Sequence, residues 1–390
     1  MNRRILVPLA LVLASAVAVV TGYSFIATKA VAGPQTHEGL HVLSPITHGN
    51  LTIFPVVGGA DYDTSRFLTL DEGIRAGSVV VTEQGSLQGL VRRGQPVSHH
   101  SGAQVNQLVL VNNSDRPLLL LAGEIVTGGK QDRVIGADRL VPPKSDPIDL
   151  SVFCVEPGRW VGQTMQFGSM KSQMAQPSVR QPAMAAQNQQ KVWDQVAAAR
   201  QSMGSAIGGA SQTVEVTASA PPVQTDTANL RSTTSYAKAM ATPQVQQTID
   251  KEVGNYESLL RELRKVDAKG VVVAINGRIV WADLFASNDL LSRYWQKLAR
   301  SYAAESLTTA GAKSQADQKS AQAFMDRLSG NREVVETEPG VFRRAEITGD
   351  GYKVFTLTSL ATSAHIDVHM AKMSYDEESS LRPHPYGMIR

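Results

Sequence analysis

The chain has 390 residues, a formal charge of +3, 42% hydrophobic residues and one cysteine, Cys154. A single thiol excludes an intramolecular disulfide framework. The first 32 residues hold Arg3, Arg4 and Lys29 and no acid, so without them the formal charge falls to zero, which excludes the broad basic field of a nucleic-acid binder.

Those residues read as a secretory leader. Two arginines precede an apolar run from Ile5 to Val20, and Ala30-Val31-Ala32 offers a small-x-small cleavage site before Gly33. The expected location is periplasmic or extracellular, anchored if the leader is retained. No second apolar run reaches spanning length.

Residues 33–165 read as a β-rich half. Strands are expected over Leu51–Val57, Ser78–Thr82, Gly89–Arg93, Val105–Asn112 and Val134–Val141, and within "PIDLSVFCVE". Thr69 and Glu72 have capping-box spacing for one short helix ending near Gly77. Such short strands, punctuated by Gly, Pro and Asx residues, predict a sandwich or barrel-like unit.

Residues 166–203 then read as a helical segment, with Val192, Trp193 and Val196 as its buried stripe. Residues 204–234 lack periodicity and read as a flexible loop. Residues 235–375 form an α+β half. One helix is expected from about Thr242, with Pro243 in its first turn, to Val266. "GVVVAINGRIVWADLF" predicts a hairpin on Asn276-Gly277, a type I′ pair. Ser287 caps a helix through Glu305, another helix covers residues 314–329, and Asp350-Gly351 marks a second hairpin. Residues 376–390 read as a frayed tail. The fold class is therefore α+β.

"LLLLAGEIVTGGKQDR", residues 118–133, resembles a phosphate loop, but Gly129 stands where the lysine belongs and Gln131 where the hydroxyl belongs. No helix pattern follows to aim N–H groups at an anion. The stretch reads instead as a hairpin turning on Gly128-Gly129, with Thr127 opposite Lys130 and Glu124 opposite Arg133. Glu124, Gln131 and Arg133 then share a face and combine planar donors and acceptors that suit an anion. In "CVEPGRW", Pro157-Gly158 fits a type II turn that brings Glu156 and Arg159 together. Alternation places Cys154 in an apolar layer with Leu150 and Val152, where a thiol is inert. Trp160 is a stacking platform or a core aromatic.

These two stretches, with "VVVAINGRIVWADLF" and "YWQKLARSYAAES", resemble a bacterial family called the ARG and rhodanese-phosphatase-superfamily-associated protein domain. The likeness runs over roughly residues 40 to 360, apart from the loop at 204–234. Its distinctive order is E-x-x-x-G-G-K-Q-x-R. The resemblance implies a link to NAD or ADP-ribose processing and no assigned reaction. It carries onto Glu124, Gly128, Gly129, Lys130, Gln131, Arg133, Cys154, Glu156, Gly158, Arg159 and Trp160.

Elsewhere, His365, Asp367 and His369 share a face if they lie on one strand. The histidines would then stand about 13 Å apart, too far for one metal ion, so a solvated strand is expected. His99-His100 reads as a solvated turn. No cofactor fingerprint is present, and the cofactor stays unknown.

Two functional readings follow, beside a structural one in which both clusters merely stiffen turns. The first is an exported binding domain whose patch of Glu124, Lys130, Gln131, Arg133, Arg159 and Trp160 holds a small anionic ligand, nucleotide or ADP-ribose-like, or a protein partner. The second is a hydrolase or transferase acting on a phosphate- or ribose-containing substrate. Glu156 would be its general base, with Arg133 and Lys130 facing the developing charge.

Overall fold

The computed structural model describes residues 39–84, 106–159, 164–210, 230, 232–254, 256–312, 314–361 and 363–375. The leader, the tail, the strand expected at Gly89–Arg93, His99-His100, Trp160 and residues 211–229 of the expected loop lie outside them. Among the described residues no helix is long and apolar enough to cross a membrane.

The β-rich half is built on a six-stranded sheet. From edge to edge it runs Phe167–Met174, Glu124–Gly128, Arg133–Ile135, Ile148–Cys154, Gln107–Asn112 and Val79–Glu83. A bridge between Thr82 and Gln166 joins its two ends, so the sheet curls toward a barrel. Val81, Leu108, Leu110, Val126, Val152 and Phe167 share the core inside it. A three-stranded sheet of Arg139–Val141, Leu118–Leu120 and Leu68–Thr69 lies alongside in sequence and contributes to the same core. The continuous strand expected over Val134–Val141 is thus two strands in two sheets. Gly136, whose added Cβ would meet the Phe153 ring at 2.6 Å, lies in the break. Thr69 forms the expected capping box, its Oγ1 accepting from the Glu72 N–H while Glu72 Oε2 accepts from the Thr69 N–H.

A nine-stranded antiparallel sheet crosses the two expected halves: Leu40–Val42, Ile46–His48 and Leu51–Gly58 of the first join it, with Leu51–Gly58 paired to Gly270–Ile275 of the second. Asn276-Gly277 joins Gly270–Ile275 to Arg278–Phe285 as a two-residue turn, both residues at positive φ (49° and 75°) as type I′ requires. Alternation divides the strands between two cores. Val271 and Val273 face the large core with Trp281 and Phe285, while Val272 and Ala274 face a smaller core closed by Phe324 and Met325 of the helix Gln318–Asp326. The helix Asn288–Thr308, capped by Ser287 as expected, presses Leu290, Tyr294, Leu298 and Tyr302 into the large core.

Two helical expectations are corrected. Of the segment 166–203 expected to be helical, Phe167–Met174 is a strand and Pro182–Ala186 a π turn ended by Gln187 in the left-handed conformation, and the long helix spans Gln189–Ala210, reaching into the expected loop. Its buried stripe is Val192, Val196, Ala199, Met203 and Ile207, with Trp193 half-buried. The single helix expected from Thr242 to Val266 is divided into Pro243–Val253 and Tyr256–Lys265 by Gly254 at φ 68°. The chain is α+β, as its sequence predicts.

Candidate functional site

The Gly128-Gly129 reversal is wider than two residues. Ile125 pairs with Val134 and Val126 with Arg133, so the register is slipped by two from the expected one and residues 127–132 form the connection. Side-chain acceptors explain the slip, since they take the turn's N–H groups before the opposing strand does. Asp132 Oδ1 accepts from the Gly128 N–H at 3.1 Å, Thr164 Oγ1 from Gly129 at 3.1 Å, and Glu83 Oε1 from Lys130 at 2.8 Å. Gly129 sits at φ 50°, and a Cβ there would lie 2.2 Å from the Phe167 ring.

The Pro157-Gly158 turn closes onto this connection. Gly158 has φ 88°, and the Glu156 and Arg159 side chains meet at 2.5 Å. Arg159 also donates to the Gly129 carbonyl at 3.2 Å and lies 3.6 Å from Asp132. Gln131 donates to the Glu156 carbonyl at 3.1 Å, and Ser235 to Asp132 at 2.9 Å. Lys238 lies 3.4 Å from Glu156. Arg133 stands opposite Cys154 in register, and its guanidinium feels the charges of Glu83 and Asp132. Gln131, Arg133, Glu156 and Arg159 are therefore brought together.

The cluster is largely buried, with Lys238 exposed at its edge. Arg133 is 0% exposed, Glu156 2% and Gln131 5%. Among the described residues Glu83, Asp132 and Glu156 face Arg133, Arg159 and Lys238, three charges of each sign. Burial alone would raise the Glu156 pKa, but hydrogen bonds from Arg159 and the Asp132 N–H lower it overall. A carboxylate held ionised in this way is a weak base. Burial, then the negative charge of Glu156, raises Asp132. Burial also pushes the Cys154 thiol up, as suits an inert core cysteine. Lys130 is half-buried at the hairpin tip.

Glu124 faces elsewhere. Its expected partner Arg133 is replaced by Lys297, whose Nζ stands 2.5 Å from Glu124 Oε1 and 3.0 Å from Asp71 Oδ1. Glu124 Oε2 accepts from the Leu121 N–H at 2.9 Å. Burial raises the Glu124 carboxyl pKa against the pull of Lys297. Burial opposes the Lys297 ammonium, yet the two carboxylates outweigh it and raise its pKa, so it stays charged. The sequence signal for Lys297 is a lysine on an apolar helix stripe, three residues after Tyr294 and four before Ser301, both buried.

Lys297 forms the floor of an open cleft of about 190 Å³, lined also by Asp71, Glu72, Arg75, Lys171, Ser172 and Arg293. Arg293 is locked on Glu72 through two bonds of 3.1 and 2.5 Å and also donates to the Phe67 carbonyl. One wall is a bulge in the strand Phe167–Met174, where its pairing with Glu124–Gly128 shifts between Ser169 and Met174. Ser172 there has φ 59° and donates to Gln296 at 2.8 Å. A non-glycine residue held in that region costs on the order of 1–3 kcal/mol, and such strain gathers at functional sites. The bulge presents exposed Lys171 across from exposed Arg75, and neither makes an ion pair among the described residues.

A third polar group is wholly buried. Arg180 pairs with Asp283 through bonds of 3.0 and 3.1 Å, and Tyr302 donates to the same carboxylate. His369 bridges Asp283 (3.2 Å) and Asp138 (2.6 Å), and Asp138 accepts from the Ala122 N–H at 2.8 Å. Arg180 lies 4.4 Å over the Trp281 ring and fills the space a Cβ on Gly123 would need. The expected solvated strand is corrected here: His365 is exposed outside the strand at φ 43°, but His369 is 0% exposed. Burial would lower the His369 pKa, but Asp138 and Asp283 raise it to about 9. Among the described residues no cluster of His, Cys, Asp and Glu is arranged to hold a metal ion.

The sequence pattern of the ARG and Rhodanese-Phosphatase-superfamily-associated Protein domain matches residues 39–371. No curated protein and no solved structure matches the chain.

Proposed function

The chain belongs to the ARG and Rhodanese-Phosphatase-superfamily-associated Protein domain family, and from that premise we propose that it is an exported domain binding a small anionic ligand in the cleft above Lys297. One observation carries this reading: Arg75 and Lys171 project into an open cleft whose remaining cations are already committed to carboxylates. Two cations without an ion-pair partner among the described residues, on elements fixed by a buried ion pair, form a preorganised anion site. Glu124 acts here at one remove, by holding Lys297. Gln131, Arg133, Glu156 and Arg159 hold two turns together and are largely buried, while Lys130 marks the hairpin tip. A buried carboxylate held ionised by Arg159 and the Asp132 N–H does not support general-base catalysis by Glu156.

Titration calorimetry of inorganic phosphate into the mature protein at low ionic strength tests the reading. Saturable one-site binding, weakened about tenfold or more in Arg75→Ala/Lys171→Ala, is expected. Absence of binding, or binding unchanged in that variant, would overturn it. Export is tested separately by the intact mass of protein recovered from the periplasm, which is expected to begin at Gly33.

A further inference from the structure

We propose that the ligand is a small hydroxylated phosphate monoester, a sugar or polyol phosphate, and not a nucleotide. This rests on the anion-binding reading of the same cleft. Three features of the lining narrow the chemistry.

The first is charge. A phosphate monoester carries close to two negative charges near neutral pH. Arg75 and Lys171 match it one for one. Deeper in, Asp71 and Glu72 remain 17% and 35% exposed at their side chains while held by Lys297 and Arg293. A second phosphate would meet those carboxylates and be repelled, so a diphosphate bridge is a poor fit.

The second is hydrogen bonding. A carboxylate fixed by one cation keeps free lone pairs for further donors. Asp71 and Glu72 therefore accept from neutral hydroxyls, and Ser172 and Gln296 add a neutral pair on the facing wall. That lining suits a polyhydroxylated body attached to the phosphate.

The third is what a base would need. Tyr294 is the aromatic residue of the lining, but it is 1% exposed and its hydroxyl donates to the Leu119 carbonyl at 3.0 Å, so it offers no open ring face. Stacking contributes about 1–3 kcal/mol per base where a ring is offered. The cleft, at about 190 Å³, is also smaller than the roughly 300–1,000 Å³ of sites for larger organic ligands.

The test is calorimetry on the mature wild-type protein with inorganic phosphate, glycerol 3-phosphate, ribose 5-phosphate, glucose 6-phosphate, glucose, AMP and ADP-ribose as probes. The best of the three hydroxylated monoesters is expected to bind about tenfold or more tightly than inorganic phosphate, AMP or ADP-ribose, with glucose undetected. Asp71→Asn should reduce that advantage to about threefold or less without weakening inorganic phosphate. AMP or ADP-ribose binding as tightly as the best monoester, or inorganic phosphate matching it, overturns this inference and leaves the anion site standing. Failure of every phosphate compound to bind overturns both.

Discussion

Lys297 Nζ meets Glu124 Oε1 at 2.5 Å across 173 residues of chain, with both side chains almost fully buried. The contact ties the hairpin of Glu124–Gly128 and Arg133–Ile135 to the helix Asn288–Thr308. It also sets the floor of the cleft. Removing one member of a buried pair leaves the other as an uncompensated charge, at a cost of about 3–5 kcal/mol. Lys297→Met is therefore expected to lower unfolding free energy by that amount in urea. Adding Glu124→Leu to it should recover part of the loss, since it removes the fully buried orphan carboxylate and leaves only the part-exposed Asp71 without its cation. A single variant as stable as wild type would show that the pair contributes nothing.

Arg159 has a different expected signature. Its guanidinium reaches Glu156, Asp132 and the Gly129 carbonyl. Arg159→Ala leaves these acceptors under-satisfied and should lower stability by roughly 1–3 kcal/mol. Phosphate affinity should stay unchanged, because the cluster lies outside the proposed binding cleft. Loss of affinity without loss of stability would return the ligand to the turns.

Gly129 gives a local test of the hairpin connection. At φ 50°, with the Phe167 ring 2.2 Å from any added Cβ, Gly129→Ala combines backbone strain with a steric clash. It should destabilise by about 1–3 kcal/mol or more, measured by denaturant midpoint at constant slope. A neutral substitution would contradict the geometry of residues 127–132.

His369 predicts a pH dependence. Its folded pKa is raised to about 9 from the ordinary 6.5. The folded state therefore holds a proton that the unfolded chain releases. The stabilisation is fully present below pH 6.5 and is lost as pH rises through about 9, with an upper limit of roughly 3 kcal/mol. His369→Gln should show a flatter stability profile over that window. Identical profiles in the two proteins would mean that His369 folds uncharged.

What the sequence made legible was local. Asn276-Gly277, Pro157-Gly158 and the Thr69–Glu72 capping box each act within a few residues, and each forms as its pattern predicts. The register of the Gly128-Gly129 hairpin did not follow from its glycines. Glu83 and Thr164, distant in the chain, accept its N–H groups, and Asp132 turns back on Gly128. Glu124 was singled out beside Arg133, but its partner Lys297 lies on a helix that only the tertiary fold brings near. His369 lies on a strand that begins only after His365 and is buried where a solvated strand was expected, because period-two alternation cannot say which face meets Asp138 and Asp283. The cleft itself depends on a bulge at Ser172, a backbone irregularity without a glycine to announce it.

Where an anion sits decides between the cleft and the turns. A crystal of the mature protein soaked in tungstate, a heavy tetrahedral dianion, locates it directly by anomalous scattering. A peak bridging Arg75 and Lys171 above Lys297 is the predicted result. A peak at Arg159 and Lys238 with the cleft empty, or no ordered peak on the protein, would contradict it.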